Sequence, residues 1–181
     1  MISNCFENYQ LILLSEGHLR ELYNWNMAEE NFEQYTCRPL KLQKPYDEYF
    51  NEMLYSFDNI KEKNYILVHK DHKGVPLGKI RLFDYNARNH SAEFGYYLPE
   101  HNRNKGIGSI MLDLFINISF ADSDYKLNKL YATTASNNNP SIKLLENNGF
   151  RIDGKLREHY WINGSKYDQC VYSILKSELI K

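Results

Sequence analysis

Cysteine is scarce in this 181-residue sequence, and the three present (Cys5, Cys37, Cys170) are far apart and odd in number. That excludes a disulfide framework. The lack of any Cys-x-x-Cys pair removes the common cysteine-based metal sites, and a reducing compartment is the simple reading. Long apolar runs are also missing. "LILL" (11–14) is too short for a membrane span or a signal core, and no basic region precedes it. The expected location is the cytoplasm, with no membrane partner. An excess of positive charge is absent: 22 basic side chains face 23 acidic ones, net −1. Nothing of that kind points to nucleic acid. The six histidines show no metal-ligand spacing, so no metal is expected. No internal repeat, low-complexity linker or compositional shift marks a boundary, so residues 1–181 are expected to form a single domain.

What is present is ordinary globular material, 43% apolar and 25% charged, enough to bury a core. "YQLILL" (9–14) has strand length. "EGHLRELYNWNM" (16–27) and "KPYDEYFNEMLYSF" (44–57) carry apolar residues at helical spacing, the second behind Pro45. Three strands are expected next: "NYILVHK" (64–70), "LGKIRLFDY" (77–85) and "SAEFGYYL" (91–98), the first two joined by the turn "DHKGVP". From Gly106 a helix is expected, with Ile107, Ile110, Met111, Leu114, Phe115 and Ile118 on one stripe. "KLYATTA" (129–135) reads as a strand. "PSIKLLENNGF" (140–150) reads as a short helix, with Pro140 in its first turn and Gly149 past its end. The chain closes as a hairpin around Asn163-Gly164. This order predicts an α/β (α+β) fold, a mixed sheet covered by helices.

The most informative stretch is "HNRNKGIGSIMLDLF" (101–115). A helix amino terminus exposes unpaired N–H groups and a partial positive charge, and glycine lets a ligand approach the backbone. Arg103 and Lys105 add charge beside Gly106 and Gly108. The segment therefore reads as a pyrophosphate cradle. Taken alone, the pattern is short enough that a glycine-softened helix start with solvated charges is the better reading. It is not a Walker loop, which needs Gly-Lys-Ser/Thr, nor a three-glycine dinucleotide fingerprint.

Context decides the matter. Four segments together, "AEFGYYLPE" (92–100), "RNKGIG" (103–108), "NNPSIKLLENNGF" (138–150) and "DGKLREHYWINGSKYD" (153–168), resemble the GNAT superfamily of acyl-CoA-dependent N-acetyltransferases. The likeness is to the subgroup of ribosomal-protein N-terminal and spermidine acetyltransferases. It covers about residues 60–176 well and the amino-terminal third in outline. The resemblance implies the GNAT fold, with a mostly antiparallel central sheet flanked by helices. It implies acetyl-CoA as cosubstrate and a primary amine as acceptor, with a homodimer as one option. The pyrophosphate would lie on Arg103, Asn104, Lys105, Gly106, Ile107 and Gly108, and the pantetheine arm along Tyr96, Tyr97 and Leu98. Asn138 would touch the arm, or else serve only as turn chemistry beside Asn137 and Asn139.

Direct attack of a neutral amine on the thioester needs N–H donors for the oxyanion, a way to deprotonate the amine and help for the leaving thiolate. Glu93, between Ala92 and Phe94, is the candidate on the amine side, as base or as anchor for a cation. A solvated strand Glu is the plain alternative. Many members of the family place a Tyr acid where this chain has Leu145. Thr133 replaces a Glu found in some protein-acetylating members. Ser141 matches a proposed proton donor, although a helix-start serine more often caps or packs. Leu145→Tyr is expected to be tolerated by the fold. Between residues 16 and 58, nine acidic side chains face four basic ones, a local excess that suits a cationic acceptor. The aromatic residues there are expected to pack in the core. Two other classes stay open: an acyl-CoA-binding sensor or assembly module without turnover, and a phosphate-binding protein unrelated to coenzyme A.

Overall fold

The structure, a computed structural model, describes residues 6–30, 44–57 and 62–179. Strand β1 (Tyr9–Leu13) is followed by helices α1 (Leu19–Ala28) and α2 (Tyr46–Phe57). Strands β2 (Lys63–His69), β3 (His72–Asn86) and β4 (Ser91–Tyr97) come next, then α3 (Ile107–Ala121), β5 (Lys129–Ala135) and α4 (Asn139–Asn147). Strands β6 (Arg151–Ile162) and β7 (Ser165–Leu175) form the closing hairpin. The seven strands make one sheet in the order β1-β2-β3-β4-β5-β7-β6, antiparallel throughout except for β4–β5. This is the expected mixed, mostly antiparallel sheet flanked by helices.

Strand alternation sends side chains to two different layers. On one face Leu67, Leu82, Phe94, Leu130 and Ala132 pack against Met111, Leu112 and Phe115 of α3 and Leu145 of α4. On the other, Ile66 and Val68 pack against Leu19, Leu22 and Trp25 of α1, with Tyr49, Phe50 and Met53 of α2 alongside. The Tyr23 ring meets those of Tyr46 and Tyr49 at 5.3 and 5.5 Å, so these aromatics do pack between α1 and α2.

Local chemistry explains the ends of the elements. Asn138 caps α4, its Oδ1 accepting from the Ser141 N–H at 3.2 Å, and Gly149 takes a left-handed φ of +85° just past the helix. Asn163 and Gly164 both adopt positive φ, as a tight hairpin turn requires. Two expectations need correction. Strand β3 starts at His72 rather than Leu77, because the Gly74–Pro76 stretch joins the ladder through an irregular register (Val68↔Pro76, His69↔His72) instead of forming an open turn. The buried surface of α3 is also wider than one stripe. Leu112, Ile116, Ser119 and Phe120 are buried, whereas Leu114 and Ile118 are only partly so.

One departure from regularity positions the site. The β4–β5 ladder holds only Ser91↔Lys129, Ala92↔Leu130 and Glu93↔Tyr131. Beyond that point β4 continues to Tyr97 along β3, and β5 continues to Ala135 along β7. The two parallel strands therefore splay, and the facing edge of residues 94–97 has no ladder partner among the described residues.

Candidate active site

The splay opens toward the loop between β4 and α3. A 3-10 turn, Glu100–Asn102, is tied to β3 by buried Asn102, whose Nδ2 donates to the Leu77 carbonyl at 2.9 Å. The chain then takes left-handed backbone at Asn104 (φ +60°) and Gly106 (φ +76°) before α3 begins. The Gly106 carbonyl accepts from the Ser109 N–H at 3.1 Å and from the Ile110 N–H at 3.2 Å, so the N–H groups of Gly106, Ile107 and Gly108 ahead of them are left without a partner within the helix. Alternating backbone hands at a helix start turn successive N–H groups toward one concavity, a nest for an anion.

The two glycines of this loop are not equivalent. A Cβ at Gly106 would meet open space, and its positive φ is what calls for glycine. Gly108 is buried, and a Cβ there would lie 3.1 Å from Leu98 Cδ1 and 3.2 Å from Leu144 Cδ2. Gly108 thus lets α3 close onto β4 and α4. Lys105 and Asn104 are exposed at the nest, with Ile107 buried beneath it.

Arg103 is held elsewhere. Its Nε donates to the Leu98 carbonyl at 3.0 Å, and its Nη2 pairs with Glu29 Oε2. Glu29 stands just past α1 with its side chain only 4% exposed, and it also accepts from the Tyr97 hydroxyl at 2.8 Å. Burial and the Glu29 bond together push the Tyr97 phenol well above its ordinary range, despite Arg103. Sequence reading assigned Arg103 to phosphate and did not single out Glu29. The residues lie 74 positions apart, and no local pattern links them.

Glu93 belongs to the last rung before the strands part. Its Oε1 accepts from the Thr133 hydroxyl at 2.9 Å. Thr133, conspicuous in the sequence as a missing carboxylate, thus holds the carboxylate that is there. Ser141, in the first turn of α4, shares a 2.7 Å hydrogen bond with the Tyr96 hydroxyl. Burial pushes the Tyr96 phenol up to about 12, against the opposing pull of Ser141. Glu93 and Tyr96 differ by an odd number of residues along β4, so their side chains leave opposite faces of the sheet. Glu93 therefore faces the α1–α2 side, and the Tyr96–Ser141 pair the α3–α4 side.

Asn138, expected at the pantetheine arm, uses its side-chain oxygen to cap α4. Its neighbour Asn137 has a buried Oδ1 with no hydrogen-bond partner among the described residues. A buried acceptor without a donor carries a free-energy cost, and an amide N–H from a bound molecule would relieve it. Leu145 is fully buried in the core. This corrects the expectation for Leu145→Tyr: a phenol would be forced into filled space, at a cost of roughly 1–3 kcal/mol.

A model of the acetyltransferase (GNAT) domain matches residues 14–171. The chain belongs to the GNAT acetyltransferase family. Its relatives include the SPbeta prophage-derived uncharacterized N-acetyltransferase YokL of Bacillus subtilis, 34% identical over 65% of this chain and 64% of YokL. The spermidine N(1)-acetyltransferase of Vibrio cholerae is 27% identical over 96% of this chain and 97% of its own length. The crystal structure of Vibrio cholerae spermidine N-acetyltransferase in complex with CoA and spermine superposes with a TM-score of 0.83. It is 24% identical and covers 95% of this chain and 98% of the solved one, a likeness of fold. This GNAT chain has no group of three or more His, Cys, Asp or Glu placed to hold a metal among its described residues. No described helix is long and apolar enough to cross a membrane.

The acidic surplus of residues 16–58 is only partly visible. Glu33, Arg38, Lys41 and Asp58 lie outside the described residues, as do Phe32, Tyr35, Cys5 and Cys37. Of the rest, Glu48 and Glu52 share Lys44, and Glu29 holds Arg103.

Proposed function

We propose that this GNAT acetyltransferase moves the acetyl group of acetyl-CoA to a cationic primary amine, with a polyamine as the first acceptor to test. The observation that carries the reading is the splay beyond Glu93↔Tyr131, which opens beside the left-handed turn at Asn104 and Gly106. The N–H groups of Asn104, Lys105, Gly106, Ile107 and Gly108 hold the diphosphate, with the Lys105 ammonium beside them. Arg103 reinforces this loop when it is released from Glu29. The pantetheine arm lies along the unpaired edge of Tyr96, Tyr97 and Leu98 in the manner of an added strand. Asn137 offers the arm an acceptor, and Asn138 fixes the helix start that brings Ser141 to it. Backbone N–H groups on that edge also face the developing oxyanion.

Coenzyme A presents the acetyl group as a thioester, and the chain supplies the rest. Amines with a pKa near ~10 are mostly charged at neutral pH. Glu93, kept in place by Thr133, first anchors the ammonium and then accepts its proton directly or through water. The polyamine preference draws on two supports: the acidic amino-terminal third, and the spermidine acetyltransferase from Vibrio cholerae that aligns over nearly its full length.

The test joins calorimetric titration of coenzyme A with thiol release from acetyl-CoA. Spermidine, spermine and a peptide amino terminus serve as acceptors. Gly106→Asp is expected to abolish coenzyme A binding. Glu93→Gln is expected to lower turnover at least tenfold while leaving coenzyme A affinity within about threefold. Coenzyme A binding without release from any amine would mark the protein as an acyl-CoA sensor instead.

A further inference from the structure

The family resemblance implies a phenolic acid at the position that Leu145 holds here, and Leu145 is completely buried. The leaving sulfur still needs a partner, and the structure supplies an alternative from strand β4. Tyr96 emerges from β4 just past the end of the β4–β5 ladder, on the face covered by α3 and α4, with its ring stacked on Phe94 at 6.2 Å. Its hydroxyl crosses to Ser141 in the first turn of α4, oxygen to oxygen 2.7 Å. The pair bridges one side of the mouth of the splay. Tyr172, a buried phenol near α4, already donates to Glu146 Oε1 at 3.1 Å.

We propose that Tyr96 is a positioning residue for the departing sulfur: its hydroxyl fixes that of Ser141, and Ser141 donates a hydrogen bond to the coenzyme A thiolate as it leaves. The assignment rests on the cofactor placement proposed above. A phenol is a better donor than an aliphatic hydroxyl, so Tyr96 donates and the Ser141 oxygen accepts. That leaves the Ser141 proton available for the sulfur. Donation into Ser141 also polarises it and strengthens its own hydrogen bond.

The chemistry balances without giving up either hydroxyl proton. The new N–C bond forms, the C–S bond breaks, and sulfur leaves with the electron pair. The proton lost by nitrogen goes to Glu93 or water. A coenzyme A thiol titrates near ~8.5, whereas the Tyr96 phenol is pushed up to about 12. Full proton transfer from the pair to sulfur would run more than about a thousandfold uphill. The pair therefore stabilises the thiolate by hydrogen bonding, and solvent protonates it after release.

This has a consequence that requires no acceptor amine. A donor aimed at the sulfur favours the thiolate, so it lowers the thiol pKa of bound coenzyme A. That pKa can be read by 13C NMR of coenzyme A labelled at the carbon bearing sulfur, in complex with the full chain. The wild-type complex is expected to titrate about one unit below free coenzyme A. Ser141→Ala should restore the free value, and Tyr96→Phe should recover at least half of that difference. The double variant should match Ser141→Ala, and Ser141→Thr should resemble wild type. Replacing Tyr96 by 3-fluorotyrosine keeps its shape and makes it a stronger donor. That change should lower the thiol pKa further, and it provides the test should Tyr96→Phe fold poorly.

An unchanged thiol pKa in both Tyr96→Phe and the fluorotyrosine protein would overturn the role of Tyr96. Independent, additive effects of Tyr96→Phe and Ser141→Ala would do the same. Wild-type protein that fails to bind coenzyme A at all would instead remove the cofactor placement, and this proposal with it.

Discussion

Gly106 and Gly108 sit two residues apart and answer to different constraints. At Gly106 the backbone is left-handed with open space beside it, so any side chain meets strain rather than collision. Gly106→Ala should cost about 1–2 kcal/mol. At Gly108 the conformation is helical, and alanine gains roughly 1 kcal/mol of helix propensity. Against this, the flexible ends of Leu98 and Leu144 must shift by a few tenths of an ångström. The net change should stay within about 1 kcal/mol of zero. Urea unfolding of the two variants, compared at equal m-value, separates the cases. If Gly108→Ala proved much the more damaging, packing rather than backbone hand would govern this loop. The same contrast makes Gly106→Asp the cleaner probe of cofactor binding, since an aspartate at Gly108 would bury a carboxylate between two leucines.

At the scale of elements, what could be read in advance was whatever local chemistry determines. The β5 alternation, the Asn-Pro start of α4, Gly149 at its end and the Asn163-Gly164 turn are each set by neighbours within a few residues. All were legible. The limits of β3 were not, because Gly74 and Pro76 signal a turn, and only pairing with β2 draws them into the ladder. The cradle around Gly106 was visible for the same reason as the turns. Its surroundings were not: Tyr96–Ser141, Glu93–Thr133 and Arg103–Glu29 join residues 45, 40 and 74 positions apart. Tyr96 did carry one usable signal. Alternation places it on the same face as Phe94, and a buried phenol seeks a partner.

A further long-range contact, Lys63 with Asp122, clips the start of β2 to the end of α3. Burial alone would raise the Asp122 carboxyl. Lys63 and the backbone N–H of Asp124 outweigh it and hold the group below its ordinary range. The unfolded chain then takes up the proton first as pH falls, so this contact stabilises fully above about pH 5 and fades through the lowered native value. Asp122→Asn should cost about 0.5–1 kcal/mol at neutral pH, less in high salt, and progressively less as the pH falls to acidity below the native value. A penalty that persisted unchanged at that acidity would show the contact to be one of shape and not of charge.

Taken whole, the molecule is two sheet segments joined weakly at one seam. Strands β1 to β4 form one ladder and β5, β7 and β6 another, and three residue pairs connect them. Helices α3 and α4 bridge the seam from one side, where Leu144 of α4 packs close to Gly108 of α3. A ligand lying in the splay would supply the missing rungs and bind the folded state alone. At a free concentration a hundred times its dissociation constant, such a ligand adds about 2.7 kcal/mol. For a chain of this length, that corresponds to a rise in melting temperature of roughly 5–10 °C. Coenzyme A should therefore raise the melting temperature by that amount in the wild type and not in Gly106→Asp. Hydrogen exchange should place the new protection on the facing backbone amides of residues 94–97 and on the nest at 104–108. Spermidine alone should leave those amides unprotected, because its charge bears on the opposite face around Glu93. If coenzyme A raised the melting temperature but its protection appeared along β1 or β6, the seam would not be the binding groove. The weak join between β4 and β5 would then be a feature of the fold without a ligand to complete it.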